Sequence, residues 1–130
     1  MKKAVALRPL SRAAQDILEK LPRAGGFVWS ANGGSRAISD FGGFKRRLDA
    51  ASGVKGWRMH DLRRTARSLM SRAGVPSDHA ERCLGHVIGG VRGVYDRHEY
   101  HREKAQAFEA LAALIDRIVE GKSAKVVRIK

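Results

Sequence analysis

The chain predicts a mainly α-helical fold: a compact helical domain over residues 1–121, with at most a short β element at the N-terminus and a basic C-terminal tail at 122–130. Three observations predict it. Apolar residues recur at the three-and-four spacing of a helix in several separate stretches. Glycine and proline stand at the ends of those stretches, where helices stop. A hydrophobic fraction of 43% over 130 residues supports one core, and the length is short for two domains.

The elements follow in order. Met1 to Leu10 alternates apolar and basic residues (Val5, Leu7) and stops at Pro9, as the end of an edge strand would. Ser11 is a natural N-cap for a helix over about residues 12–21, with Ala14, Ile17, Leu18 and Leu21 on one face. Pro22 and Gly25-Gly26 end it. Phe27-Val28-Trp29 predicts a buried extended segment, and Asn32-Gly33-Gly34-Ser35 a loop. Ser39 and Asp40 can cap a helix to about residue 51 that turns Phe41, Phe44 and Leu48 inward. Gly53 and Gly56 interrupt the chain before Trp57, which like Trp29 is expected in the core. A helix over about residues 60–73 carries a stripe of Leu62, Ala66, Leu69, Met70 and Ala73, with Gly74 placed to end it. Pro76-Ser77-Asp78 starts a further helix to Leu84, with Ala80, Cys83 and Leu84 inward. Gly89-Gly90 opens a short helix holding Val91, Val94 and Tyr95. The last helix, about residues 100–120, places Phe108, Leu111, Ala112, Ile115, Ile118 and Val119 at helical spacing and ends at Gly121.

Charge narrows the function. Lys and Arg number 26 against 13 Asp and Glu, a net charge of +13 and a pI near 10.9. An excess of that size makes a polyanion the expected partner, double-stranded DNA first and an anionic membrane surface second. No run of about 18 apolar residues predicts a bilayer span. Lys2-Lys3 is not followed by the apolar stretch of a secretory signal. A lone cysteine, Cys83, excludes an internal disulfide and fits a reducing cytoplasm. Residues 40–72 concentrate Lys45, Arg46, Arg47, Lys55, Arg58, Arg63, Arg64, Arg67 and Arg72 against Asp40, Asp49 and Asp61. An ordinary solvated helix face is the plain alternative. The whole-chain excess favours a phosphate-facing surface, with Lys45, Arg46, Arg47, Arg58, Arg64 and Arg67 as the DNA-binding candidates.

The second half holds a constellation with chemistry in it. His60 and Arg63, three apart on a helix, share one face. Arginine presents a permanent cationic fork that matches two phosphate oxygens, and histidine exchanges protons near neutral pH. In Leu84-Gly85-His86, glycine permits the left-handed turn that lets the histidine leave the helix axis. Tyr95 follows His86 by nine residues and is a poor nucleophile at neutral pH unless cations and a base assist it. Each residue alone reads as well as a helix-start histidine, a solvated arginine, a loop histidine or a core tyrosine. Order and spacing carry the information.

That order resembles the tyrosine recombinases, the phage-integrase family, whose pattern runs His-x-x-Arg, then Leu-Gly-His, then Tyr nine residues on. Here Arg63 precedes His86 by 23 residues. The stretches His60-Asp61-Leu62-Arg63-Arg64-Thr65-Ala66, Gly89-Gly90-Val91 and Tyr95-Asp96-Arg97-His98 look like integrases of prophages and genomic islands. The resemblance covers nearly the whole chain and is most specific over residues 57–110. It implies part of a recombinase catalytic domain, cytoplasmic and bacterial or phage-encoded. It also implies DNA integration or recombination through a 3′-phosphotyrosyl intermediate. Tyr95 is then the nucleophile, Arg63 and His86 hold the non-bridging oxygens, and His60 is the proton acceptor. No metal or organic cofactor is implied, and His98-x-x-His101 and His79-x-x-x-Cys83 lack a second ligand pair.

The family pattern also has a first catalytic Arg, expected upstream of this chain, and a hairpin Lys falling about where Met1 stands. Lys2 or Lys3 is its candidate replacement. Without the first Arg the chain alone is expected to be a weak or inactive catalyst. A non-catalytic DNA-binding remnant is the alternative, and residues 122–130 are a candidate arm for self-association.

Overall fold

The computed structural model describes residues 7–86 and 98–121. The expected short helix at 89–95 and the basic tail lie outside them. The first helix, α1, spans Arg12–Glu19, and Ser11 caps it as expected, its Oγ accepting from the Ala14 amide at 3.3 Å. A two-residue antiparallel ladder follows, β1 (Ser30–Ala31) on β2 (Arg36–Ala37), with Ser30 opposite Ala37 and Ala31 opposite Arg36. A tight turn over Asn32–Gly34 joins them. The Ile38 amide donates to the Trp29 carbonyl at 3.1 Å just beyond the ladder.

Among the described residues the β element is therefore at 30–37. No strand forms over 7–10, and residues 1–6 lie outside the described part. The expected loop at 32–35 is the hairpin's turn, and its glycines serve contact as well as conformation. A Cβ on Gly34 would stand 2.5 Å from the carbonyl of Ala24, so the hairpin lies directly against the backbone that follows α1.

Three helices form the core. After α2 (Phe41–Ser52), capped by Asp40 Oδ1 accepting from the Gly43 amide at 2.7 Å, come α3 (Met59–Arg72), α4 (Ser77–Leu84) and α5 (His101–Val119). Helices α3, α4 and α5 pack on one another around Met70, Ala80, Cys83 and Ala107, with Val75, Phe108 and Leu111 against them. The turn between α3 and α4 is a Schellman motif: the Val75 amide donates to Met70 O at 3.0 Å and the Gly74 amide to Ser71 O at 3.1 Å. The N-terminal segment is bound to α5 by polar contacts. Lys104 Nζ donates to Leu7 O at 3.0 Å and the Arg12 amide to Glu109 Oε1 at 2.8 Å.

Several residues expected inside are exposed. Phe41, Phe44 and Leu48 of α2 are open to solvent, as are Phe27, Val28, Trp29, Leu62, Ile115, Ile118 and Val119. The cause is the same throughout. The helical side chains lie on the apolar face their spacing predicts, Phe27, Val28 and Trp29 lie in the segment before β1, and no element among the described residues covers either. Phe27, Val28, Trp29, Phe41, Phe44 and Met59 instead line an open apolar groove of about 470 Å³. Trp57 is half-buried, under the Lys45 ammonium. Among the described residues no helix is long and apolar enough to cross a membrane.

The small core concentrates stability. Met70 is 1% exposed and Ile118 is 47% exposed, although both sit on predicted apolar stripes. Met70→Ala is expected to destabilise the chain by about 2–5 kcal/mol. Ile118→Ala should change it by no more than about 0.5 kcal/mol. Equilibrium urea denaturation of both variants checks the contrast.

Candidate functional site

The site is built on the C-terminal end of α4. The Gly85 amide donates to Arg82 O and the His86 amide to Glu81 O, both at 3.0 Å, and Gly85 takes φ +73°. This second Schellman turn fixes His86 just past the helix axis, as the Leu-Gly-His run predicts. The His86 ring is half-exposed, and its Nδ1 is hydrogen-bonded to Glu81 Oε2. An ionised carboxylate only accepts, so Nδ1 carries the proton in this bond and Nε2 is directed away from Glu81.

Helix α3 delivers Arg63 to the same place. Its Nη2 donates to Leu84 O at 2.5 Å across 21 positions of sequence, putting the guanidinium at the helix end that precedes His86. His60 lies one turn earlier on α3. It is exposed, and its side chain makes no hydrogen bond among the described residues. The structure thus brings Arg63 and His86 together and leaves His60 beside Arg63 on their shared helix. Tyr95, Lys2 and Lys3 lie outside the described residues.

Arg67 departs from its expected place on a phosphate-facing surface. Its Nε donates to Glu81 Oε1 at 2.7 Å, Nη1 to Ser71 Oγ at 2.5 Å and Nη2 to Ser77 Oγ at 2.9 Å. All three nitrogens are engaged, and Arg67 is a strut between α3 and α4. Lys45 is also engaged, 2.6 Å from Asp49 and 4.4 Å over the Trp57 ring. Arg46, Arg47 and Arg58 are exposed, and Arg64 touches Asp61 only at 3.5 Å. Asp61 accepts instead from the Arg58 amide at 2.8 Å, the contact that chiefly holds its pKa below the ordinary value.

A residue absent from the sequence-level set also reaches the site. Arg8 Nε donates to Cys83 O at 3.1 Å, one residue before the carbonyl that Arg63 holds. No motif marks Arg8, because its partner lies 75 positions away. Tyr100, the chain's other tyrosine, stands in the left-handed region at φ 54° with the Arg82 guanidinium 3.7 Å over its ring. Of the histidines in the two metal-like pairs, His98 faces Glu103 at 3.2 Å and His101 faces Glu99 at 2.6 Å.

The chain was compared with protein-family models, curated proteins and solved structures, and none gives a significant match.

Glu81 ties the site to stability. The Arg67 guanidinium first, and His86 second, hold its carboxyl below the ordinary value of 4.5. A depressed folded-state pKa gives stability that is present above 4.5 and lost as pH falls through the lowered value. Glu81→Gln should therefore melt well below the parent chain at pH 7, and the difference should shrink steadily as pH falls below 4.5. Thermal melts of both proteins across pH 3–7 measure it.

Proposed function

We propose that the chain acts in site-specific DNA recombination or integration, breaking and rejoining a strand through a 3′-phosphotyrosyl intermediate on Tyr95. The observation that carries the reading is the meeting of Arg63 with the Leu84-Gly85-His86 turn. Two groups that the sequence separates by 23 residues share one helix end, in the order a tyrosine recombinase uses.

In this reading the Tyr95 oxygen attacks the scissile phosphorus, its proton passes to His60, and the bond from phosphorus to the 5′-oxygen breaks. The leaving oxygen takes up a proton and becomes a 5′-hydroxyl. Arg63 offers a cationic fork to the non-bridging oxygens as negative charge grows on them. His86 offers Nε2, with Glu81 hydrogen-bonded behind Nδ1 and fixing the orientation of the ring. Rejoining is the reverse attack by a 5′-hydroxyl, so the covalent link conserves the phosphodiester. Arg46, Arg47 and Arg58 are exposed, as is Arg64 with only its long contact to Asp61, and these four can follow the duplex backbone, where each phosphate contact adds to the salt dependence of binding. Self-association on DNA through residues 122–130 belongs to the same proposal.

A pool of nicked duplexes tests it, because a nick near the cleaved phosphate lets the short fragment bearing the 5′-hydroxyl diffuse away and traps the intermediate. A slowly accumulating, denaturation-resistant protein–DNA adduct mapping to Tyr95 by peptide mass is expected, in keeping with a weak catalyst. Tyr95→Phe should abolish it, and Arg63→Ala or His86→Ala should slow its formation about 10²- to 10³-fold. Salt-sensitive binding that is identical in Tyr95→Phe, with no adduct at any salt concentration, would overturn the catalytic reading. That result would favour a DNA-binding role without chemistry.

A further inference from the structure

We propose that Arg8 is a further phosphate-contacting residue, forming with Arg63 and His86 an oxyanion cradle at the C-terminal end of α4. The inference takes its substrate class from the recombinase reading and its geometry from the fold. Arg8 Nε holds Cys83 O at 3.1 Å and Arg63 Nη2 holds Leu84 O at 2.5 Å. The two guanidiniums thus sit on consecutive carbonyls, with His86 two residues beyond. Gly85 makes the approach possible, because a Cβ there would stand 2.3 Å from Arg8 Nη2.

A helix C-terminus attracts cations to its exposed carbonyls, and this accounts for one edge of each guanidinium. It does not account for the rest. A guanidinium has several N–H donors, and each of these two places one hydrogen bond among the described residues. Neither has a carboxylate partner there, since Glu81 is engaged by Arg67 and His86. Two cations held on consecutive carbonyls, with no carboxylate on them among the described residues, repel each other, and a bound phosphodiester removes that repulsion while taking up their remaining donors. Arg8 is exposed, so a ligand can reach it.

Inorganic phosphate titrated into the full chain, read from the His86 ring signals by NMR, tests the cradle without requiring strand cleavage. A saturable shift is expected. Arg8→Gln keeps a donor for the Cys83 carbonyl and removes the charge, and it should weaken phosphate binding roughly ten- to a hundredfold. Arg8→Lys should recover part of that loss. A structural cap alone predicts changed melting with unchanged phosphate affinity. Wild-type affinity in Arg8→Gln, or no saturable shift in the parent chain, therefore overturns the inference. The Tyr95 adduct assay separates the two readings. Phosphate affinity that depends on Arg8 with no adduct leaves the cradle standing and removes the recombinase. A Tyr95 adduct that forms at full rate in Arg8→Gln removes Arg8 from the cradle and leaves the recombinase.

Discussion

The carboxylate of Glu81 is the contact on which the site's arrangement depends. One oxygen receives Arg67 from α3 and the other receives the His86 ring just beyond α4. The first bond fixes the angle between two core helices, and the second fixes the orientation of an imidazole. Each is a partly exposed polar contact that contributes on the order of 1 kcal/mol. Their value lies in being shared: α4 cannot shift without also turning His86. Fold and site are coupled through one side chain.

The chain's acidic residues show the same pattern of local engagement. Asp16 faces Arg12, Asp49 faces Lys45, Asp61 caps α3, Glu103 faces His98 and Glu109 receives an α1 amide. With 13 acids against 26 cations, pairing of this kind leaves a large excess without partners. The excess is not random. Within α3, Arg67 is neutralised by Glu81 of α4 at 2.7 Å, whereas Arg64, with a side chain 77% exposed, meets Asp61 only at 3.5 Å. Self-repulsion among such cations opposes compactness, and a polyanion bound across them relieves it.

Much of the helical framework was legible in the sequence, because caps and stops are local. Ser11, Asp40, Gly74 and Gly85 act within a few residues of themselves, and the structure uses them as their chemistry requires. The core was legible only in part. Met70, Ala80 and Cys83 lie on predicted stripes and are buried, while Phe41, Phe44 and Leu62 lie on equally regular stripes and are exposed. Periodicity states which face of a helix is apolar. Whether another element covers that face is decided by tertiary packing, which the pattern does not encode. The β hairpin was missed for a related reason, since a two-residue ladder has no alternation to read.

The same division explains the site. Arg63 and His86 were legible because a fixed spacing marks them, and the contact through Leu84 is what that spacing implies once α3 packs on α4. Arg67 carries the same charge one turn later on α3, and composition alone grouped the two. Their difference lies in their neighbours: Arg67 faces a carboxylate and two hydroxyls, whereas among the described residues Arg63 faces a carbonyl that takes one bond of its fork. Arg8 reverses the case. It has no spacing to mark it and ends beside Arg63, because the segment carrying it is tied to α5 through Lys104 and Leu7. For a phosphate ligand the deciding property of an arginine is thus its uncompensated edge, and a sequence shows the charge but not the edge.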